Sequence, residues 1–159
     1  FVARDAGVVS GLPHASLAFE TIDSELLFDQ KISDGDQVSP GTIIASVSGL
    51  ARSILSAERT ALNFMCHLSG ISTLTAQFLA QIAHTDARMC CTRKTIPGFR
   101  ASQKYAVRRG GGSNHRFGLD DAILIKDNHV AVAGGITKAL EAAKAFAGHL
   151  VKIEIEVDT

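Results

Sequence analysis

Along this 159-residue chain the apolar positions change period twice. Residues 1–50 read as strands and turns. Leu26-Leu27-Phe28 and Thr42 to Val47 are strand-like, and Asp34-Gly35-Asp36 and Ser39-Pro40-Gly41 are turn signals. This makes a small β-rich unit with too few residues for a large core of its own. Over residues 51–69 the period becomes helical, with Leu50, Ile54, Ala57, Ala61, Met65 and Leu68 on one stripe. Gly70 is expected to stop that helix. Ser72 then caps a second one, whose apolar stripe is Leu74, Phe78 and Ile82.

From Ala87 strands and helices alternate. The pattern predicts a strand over 87–92, a helix over 102–109, an apolar strand over 122–125, a helix over 136–148 and a strand over 151–157. In the last strand Ile153, Ile155 and Val157 share one face, and Lys152, Glu154 and Glu156 share the other. A βαβαβ order predicts a parallel sheet with helical crossovers. Chemistry in such sheets gathers at the C-terminal strand ends, where this chain carries Arg93 and Lys94, Lys126, and Glu156. A barrel is favoured over a doubly wound sheet because an open sheet covered on both faces would bury Glu154 and Glu156 without partners. No Gly-x-Gly-x-x-Gly follows any strand, so the dinucleotide-binding fingerprint is missing.

Charge sharpens this picture. The formal net charge is zero, yet residues 88–126 hold nine Lys or Arg against two Asp, whereas residues 1–87 hold four against nine Asp or Glu. Such a patch fits a polyanion. Nucleic acid is not the expected partner, because aromatics are only 6% of the chain and the cations sit at loop ends, not along a helix face. Cys66, Cys90 and Cys91 have neither a disulfide-framework count nor metal-ligand spacing, which suits reduced thiols in the cytoplasm. The six histidines show no zinc spacing, so no protein-bound metal is expected. No apolar run is long enough to span a membrane. The chain begins with Phe and reads as a piece of something longer, expected to fold poorly and lack turnover on its own.

Each candidate residue has a plain structural alternative. Thr92-Arg93-Lys94-Thr95-Ile96-Pro97-Gly98 sets two cations before a Pro-Gly stop; they are either a solvated turn or an anion grip. Gly110-Gly111-Gly112, just before His115 and Arg116, is either a linker or a loop that lets backbone approach a ligand. Lys126 ends an apolar strand, where it either snorkels or meets a ligand, and Asp127-Asn128-His129 follows. Arg59, by pattern alone, is a solvated helix residue.

At these motifs the chain resembles the quinolinate phosphoribosyltransferases (carboxylating nicotinate-nucleotide pyrophosphorylases). The matching runs are Glu58 to Phe64, Leu68 to Ile71, Thr92 to Thr95 with Pro97-Gly98, Lys104 to Arg108 with the triple glycine, Asn114-His115-Arg116 with Gly118-Leu119, Leu124 to His129, and Glu154 to Asp158. The resemblance covers nearly the whole chain. It implies an α/β fold: an N-terminal α/β sandwich with its linking helix over 1–70, then the first part of an incomplete, TIM-like α/β barrel over 71–159. It also implies a pentosyltransferase of NAD biosynthesis. Such an enzyme joins quinolinate to 5-phosphoribosyl 1-diphosphate with substrate-associated Mg²⁺ and releases nicotinate mononucleotide, diphosphate and CO₂.

By the same resemblance Arg93, His115 and Arg116 hold quinolinate, and Thr92 is a further substrate-binding residue. Lys94 faces the phosphoribosyl donor and Lys126 lies near both ligands. Glu156 holds the ribose hydroxyls or the Mg²⁺ shell and, with Lys126, takes a catalytic role. Arg59 is expected to cross a homodimer interface into the partner's site. The family usually has Asp where this chain has Cys91. Two other readings remain: the related pyrophosphorylase associated with molybdenum transport, and a non-catalytic anion-binding module.

Overall fold

The computed structural model describes residues 1–157 and divides into two compact units, Phe1–His115 and Arg116–Thr159. In the first unit β1 (Gly7–Val8) pairs antiparallel with β3 (Gln37–Val38), and β2 (Leu27–Gln30) pairs antiparallel with β4 (Ala45–Ser48), Phe28 opposite Val47. Three helices complete it: α1 (Leu12–Ile22), α2 (Ala51–Ile82) and α3 (Arg100–Arg109). The core joins Val9, Leu12, Ala15 and Phe19 to Leu26, Ile44 and the Ala57, Ala61 and Met65 face of α2. The Phe19 ring, 1% exposed, lies 5.9 Å from the rings of both Phe1 and Phe28.

Helix α1 corrects the all-strand expectation for residues 1–50. Leu12, Ala15 and Phe19 recur at helical spacing and are all buried. The group that starts the helix is distant in sequence: the backbone N–H groups of Gly11 and Leu12 donate to the Asp34 carboxylate at 3.0 and 3.1 Å. An N-terminal cap supplied from another segment leaves no local start signal. The same carboxylate accepts from the Tyr105 hydroxyl at 2.8 Å, and burial together with Asp34 raises the Tyr105 pKa above 10.0.

Helix α2 is a second correction. It runs for 32 residues through Gly70, and Ser72 lies inside it as a buried residue. An exposed mid-helix glycine costs only about 1 kcal/mol, which the buried face of a long helix overrides. One stripe at spacings of three and four runs from Ala57 through Ala61, Met65 and Leu68 to Ser72 and Thr75. Its last two members are polar, so hydrophobicity alone points to the wrong face. Leu74 and Phe78, read as core, lie off the stripe at 54% and 51% exposed.

The polar end of that stripe receives α3. The Ser72 hydroxyl donates to the Ala106 carbonyl at 2.7 Å, and a Cβ on Gly110 would lie 2.3 Å from the Ser72 carbonyl oxygen. Gly110 is therefore required for helix packing rather than for approach to a ligand. The strand expected over 87–92 shrinks to one parallel bridge, Cys90 to Ser113, flanked by bonds from Cys91 N–H to Ser113 O and Ser113 N–H to Met89 O. Residues 83–88 are exposed and carry no β-ladder, so strand propensity there has nothing to pair with.

In the second unit β5 (Ile123–Ile125) and β6 (Ile153–Ile155) pair in parallel, Ile125 opposite Ile155. Between them run α4 (Asp127–Ala133), which the sequence reading did not foresee, and α5 (Ile136–Phe146). Ile125 and Ala139 are buried at 4% and 7% exposed. This parallel β-α unit is consistent with part of the expected incomplete α/β barrel, and the chain as a whole is mixed α/β.

Two glycine substitutions in the full-length protein should act with opposite signs. Gly110→Ala must displace α3 from α2 and should cost about 1–3 kcal/mol. Gly70→Ala, with nothing within 4 Å of the added methyl, should stabilise by about 0.5–1 kcal/mol. Urea unfolding measures both, and a neutral Gly110→Ala would contradict the docking.

Candidate anion-binding site

The loop after Cys91 is a chain of short-range bonds. The Lys94 N–H donates to Thr92 Oγ1 at 3.0 Å, and the Thr95 N–H donates to the Arg93 carbonyl at 3.0 Å. These two-residue turns hold Arg93 and Lys94 in an irregular backbone. Lys94 is exposed. Arg93 is half-buried, and its buried Nε has no hydrogen-bond partner among the described residues. A desolvated guanidinium N–H with no acceptor among the described residues is costly.

Helix α3 holds this loop from one side. Arg100, Gln103 and Lys104, spaced so that they share a face, all reach back to it. Arg100 Nε donates to Thr95 Oγ1 at 3.1 Å, and Gln103 Oε1 accepts from the Ile96 N–H at 3.0 Å. Lys104, only 3% exposed, sends its ammonium to Cys91 Sγ and to the His115 carbonyl, each at 2.9 Å. Cys91 thus provides a sulfur acceptor there. His115 is half-buried in the same unit.

In the second unit Arg116 is half-buried and donates through a terminal guanidinium nitrogen to the Ala122 carbonyl at 3.0 Å. The turn between them is held by Asp121, which accepts from the Phe117 N–H at 2.6 Å and the Gly118 N–H at 3.4 Å. Those amides, led by Phe117, and the Arg116 charge hold the Asp121 carboxyl below its ordinary 3.8. Lys126 and Glu156 follow the paired ends of β5 and β6, and the Lys126 ammonium pairs with the Glu156 carboxylate. Strand register alone puts them side by side, since Glu156 N–H also donates to the Ile125 carbonyl at 2.9 Å. The Lys126 N–H donates to His129 Nδ1 at 2.9 Å, so His129 caps α4 instead of facing a ligand through that nitrogen.

The structure thus brings Thr92, Arg93 and Lys94 together in one loop, ties that loop through Lys104 to the His115 backbone, and pairs Lys126 with Glu156. Arg59 stands apart on the exposed side of α2, lining a cavity of about 630 Å³ with Arg4, Asp5 and Glu58. Among the described residues no three of His, Cys, Asp or Glu gather as a metal set, and no helix is long and apolar enough to cross a membrane. Asp158, part of the last quoted motif, lies outside the described residues. Sequence reasoning gave no role to Lys104 or Gln103. The spacing of Arg100, Gln103 and Lys104 on one helical face was the available signal.

The Asp121 latch has a defined pH dependence. Its carboxyl titrates below 3.8 when folded, so its contribution is fully present above the unfolded value and is lost as pH falls through the folded one. The Phe117 and Gly118 amide resonances should therefore titrate with a midpoint below 3.8, and Asp121→Asn should abolish the transition. A midpoint at or above the ordinary value would contradict the latch.

Comparison with known proteins covers the whole chain. The family described as "Quinolinate phosphoribosyl transferase, N-terminal domain" matches residues 1–69, and its "C-terminal domain" counterpart matches residues 71–159. A probable nicotinate-nucleotide pyrophosphorylase [carboxylating] of Synechocystis is 43% identical over 98% of this chain and 53% of its own length. The nicotinate-nucleotide pyrophosphorylase [carboxylating] of Mycobacterium leprae is 44% identical over 99% of this chain and 56% of its own. Among solved structures, NadC from Streptococcus pyogenes superposes with a TM-score of 0.95 at 42% identity, covering 99% of this chain and 57% of that one. The nicotinate-nucleotide pyrophosphorylase of Francisella tularensis gives 0.90 at 42% identity. The chain spans about half the length of the curated relatives it matches. With both domain families matched end to end, the chain belongs to the quinolinate phosphoribosyl transferase family.

Proposed function

We propose that the protein transfers the phosphoribosyl group of 5-phosphoribosyl 1-diphosphate to quinolinate with decarboxylation, as a step of NAD biosynthesis in the cytoplasm. The observation that carries this reading is the buried, unpartnered Nε of Arg93 in a loop held by other side chains. It is a preformed donor lacking an acceptor, and a planar carboxylate suits it. The names of the relatives favour quinolinate over the molybdenum-associated alternative, and an inert anion-binding module would not need the Lys126–Glu156 pair.

In this reading Thr92, Arg93, His115 and Arg116 engage the two carboxylates of quinolinate. Lys94 meets the phosphates of the donor. Lys126, near both ligands, and Glu156 exchange part of their mutual attraction for the substrates. The ring nitrogen displaces diphosphate from the ribose carbon. The neighbouring carboxylate leaves as CO₂, and the electron pair left on the ring carbon takes up a proton. Developing positive charge on the ribose is stabilised by Glu156, and the ring carbanion by the cations. Mg²⁺ would arrive on the diphosphate, with Glu156 as the carboxylate able to meet its shell; one carboxylate plus substrate phosphates is an ordinary Mg²⁺ environment. Arg59, exposed and without a hydrogen bond or ion pair among the described residues, reaches the partner's site in a homodimer.

One experiment tests activity and assembly together. Full-length protein should release diphosphate with quinolinate and not with nicotinate. Arg116→Ala should cost about 2–5 kcal/mol of quinolinate binding, and Arg59→Ala should also abolish turnover. Mixing the two inactive variants should restore activity, since one site of each mixed dimer is intact. Absence of quinolinate-dependent release by the unmodified protein would sink the function, and failure of the mixture to recover would sink the shared site.

A further inference from the structure

We infer that Lys104 is a positioning residue for the reaction: its buried ammonium clamps the anion-binding loop to the His115 segment and so sets how the dicarboxylate is gripped. The inference rests on the quinolinate reading given above. Lys104 is 3% exposed, and among the described residues its ammonium meets no carboxylate. Its partners are Cys91 Sγ and the His115 carbonyl, each at 2.9 Å. Burying a cation against one neutral carbonyl and one sulfur costs more than leaving it in water, so folding stability does not account for its place. Geometry does. Cys91 directly precedes Thr92, Arg93 and Lys94, and His115 directly precedes Arg116.

The clamp is also directional. The Cys91 backbone N–H already binds the Ser113 carbonyl at 3.1 Å, and the Ser113 N–H binds Met89 O at 2.8 Å. The two segments are thus joined by one backbone bridge, and the Cys91 thiol adds a longer contact to Asn114 Oδ1. Lys104 adds a shorter, charged tie on the side-chain face, anchored in α3. The Asn114 contact is 3.4 Å long, so the sulfur is held from two sides. A backbone bridge reinforced on the side-chain face defines an orientation better than the bridge alone. A misplacement of about 1 Å at such a grip is enough to cost on the order of 100-fold in rate.

The test measures binding and turnover separately in the full-length protein. Lys104→Met keeps the apolar stem and removes the ammonium. Its quinolinate Kd and KM should rise about 10- to 100-fold, while the KM for 5-phosphoribosyl 1-diphosphate stays within about twofold. Cys91→Ala retains the tie to His115 and should weaken quinolinate binding in the same direction by a smaller factor. Hydrogen exchange at the Cys91 and Ser113 amides should quicken in Lys104→Met. A lowered melting temperature with both KM values and the quinolinate Kd unchanged would overturn the inference. If Lys104→Met fails to fold, Cys91→Ala decides: unchanged quinolinate affinity overturns the clamp, and weakened affinity upholds it. Failure of the unmodified protein to bind quinolinate would refute the functional reading instead. The exchange rates at Cys91 and Ser113 would then still judge the clamp, with unchanged rates overturning it.

Discussion

The seat of α3 on α2 is the constraint on which the first unit depends. Gly110 comes so close to the Ser72 carbonyl that no side chain fits, and the Ser72 hydroxyl closes the contact on Ala106. Once α3 is seated, its faces take separate tasks. Arg100, Gln103 and Lys104 hold the 91–96 loop, whereas Ser102 and Tyr105 meet His14 and Asp34 on the α1 side. Asp34 in turn caps α1. A single helix–helix contact therefore positions both the hydrophobic core's outer helix and the cationic loop.

The cations are not equivalent. Lys126 is paired with Glu156 at the half-exposed ends of two parallel strands, where the attraction is screened and exchangeable. Arg93 is the opposite case, with its Nε desolvated before any acceptor arrives. Desolvation in advance strengthens the bond finally made, and the surrounding structure bears the cost. Lys104 is a third kind, a buried cation held between Cys91 Sγ and the His115 carbonyl. Positive charge in residues 88–126 thus divides by environment into a desolvated guanidinium, a half-exposed ion pair and a buried ammonium, which a count of charges cannot separate.

Much of this was legible in the sequence. The paired placement of Lys126 and Glu156 follows from strand register, and the buried stripe from Ala57 to Leu68 follows from helical period. The motifs that name the family were likewise plain in the chain. What escaped was non-local. The cap of α1 is Asp34, in a different segment, so α1 was read among strands and turns. Ser72 and Thr75 are buried because α3 sits on them, so the hydrophobic pattern pointed instead to Leu74 and Phe78. The 87–92 strand failed because it forms a single bridge, Cys90 to Ser113, and no ladder. The triple glycine was read as a ligand loop, although its first residue is needed for packing.

The central claim is that Arg93 is a preformed, unfilled carboxylate donor. A crystal structure of the full-length protein with quinolinate bound tests it most directly. The account predicts a carboxylate oxygen about 2.7–2.9 Å from Arg93 Nε, the usual length of a charge-assisted bond, with the 92–95 turns unchanged. Quinolinate bound elsewhere, with that Nε still unpartnered, would contradict it.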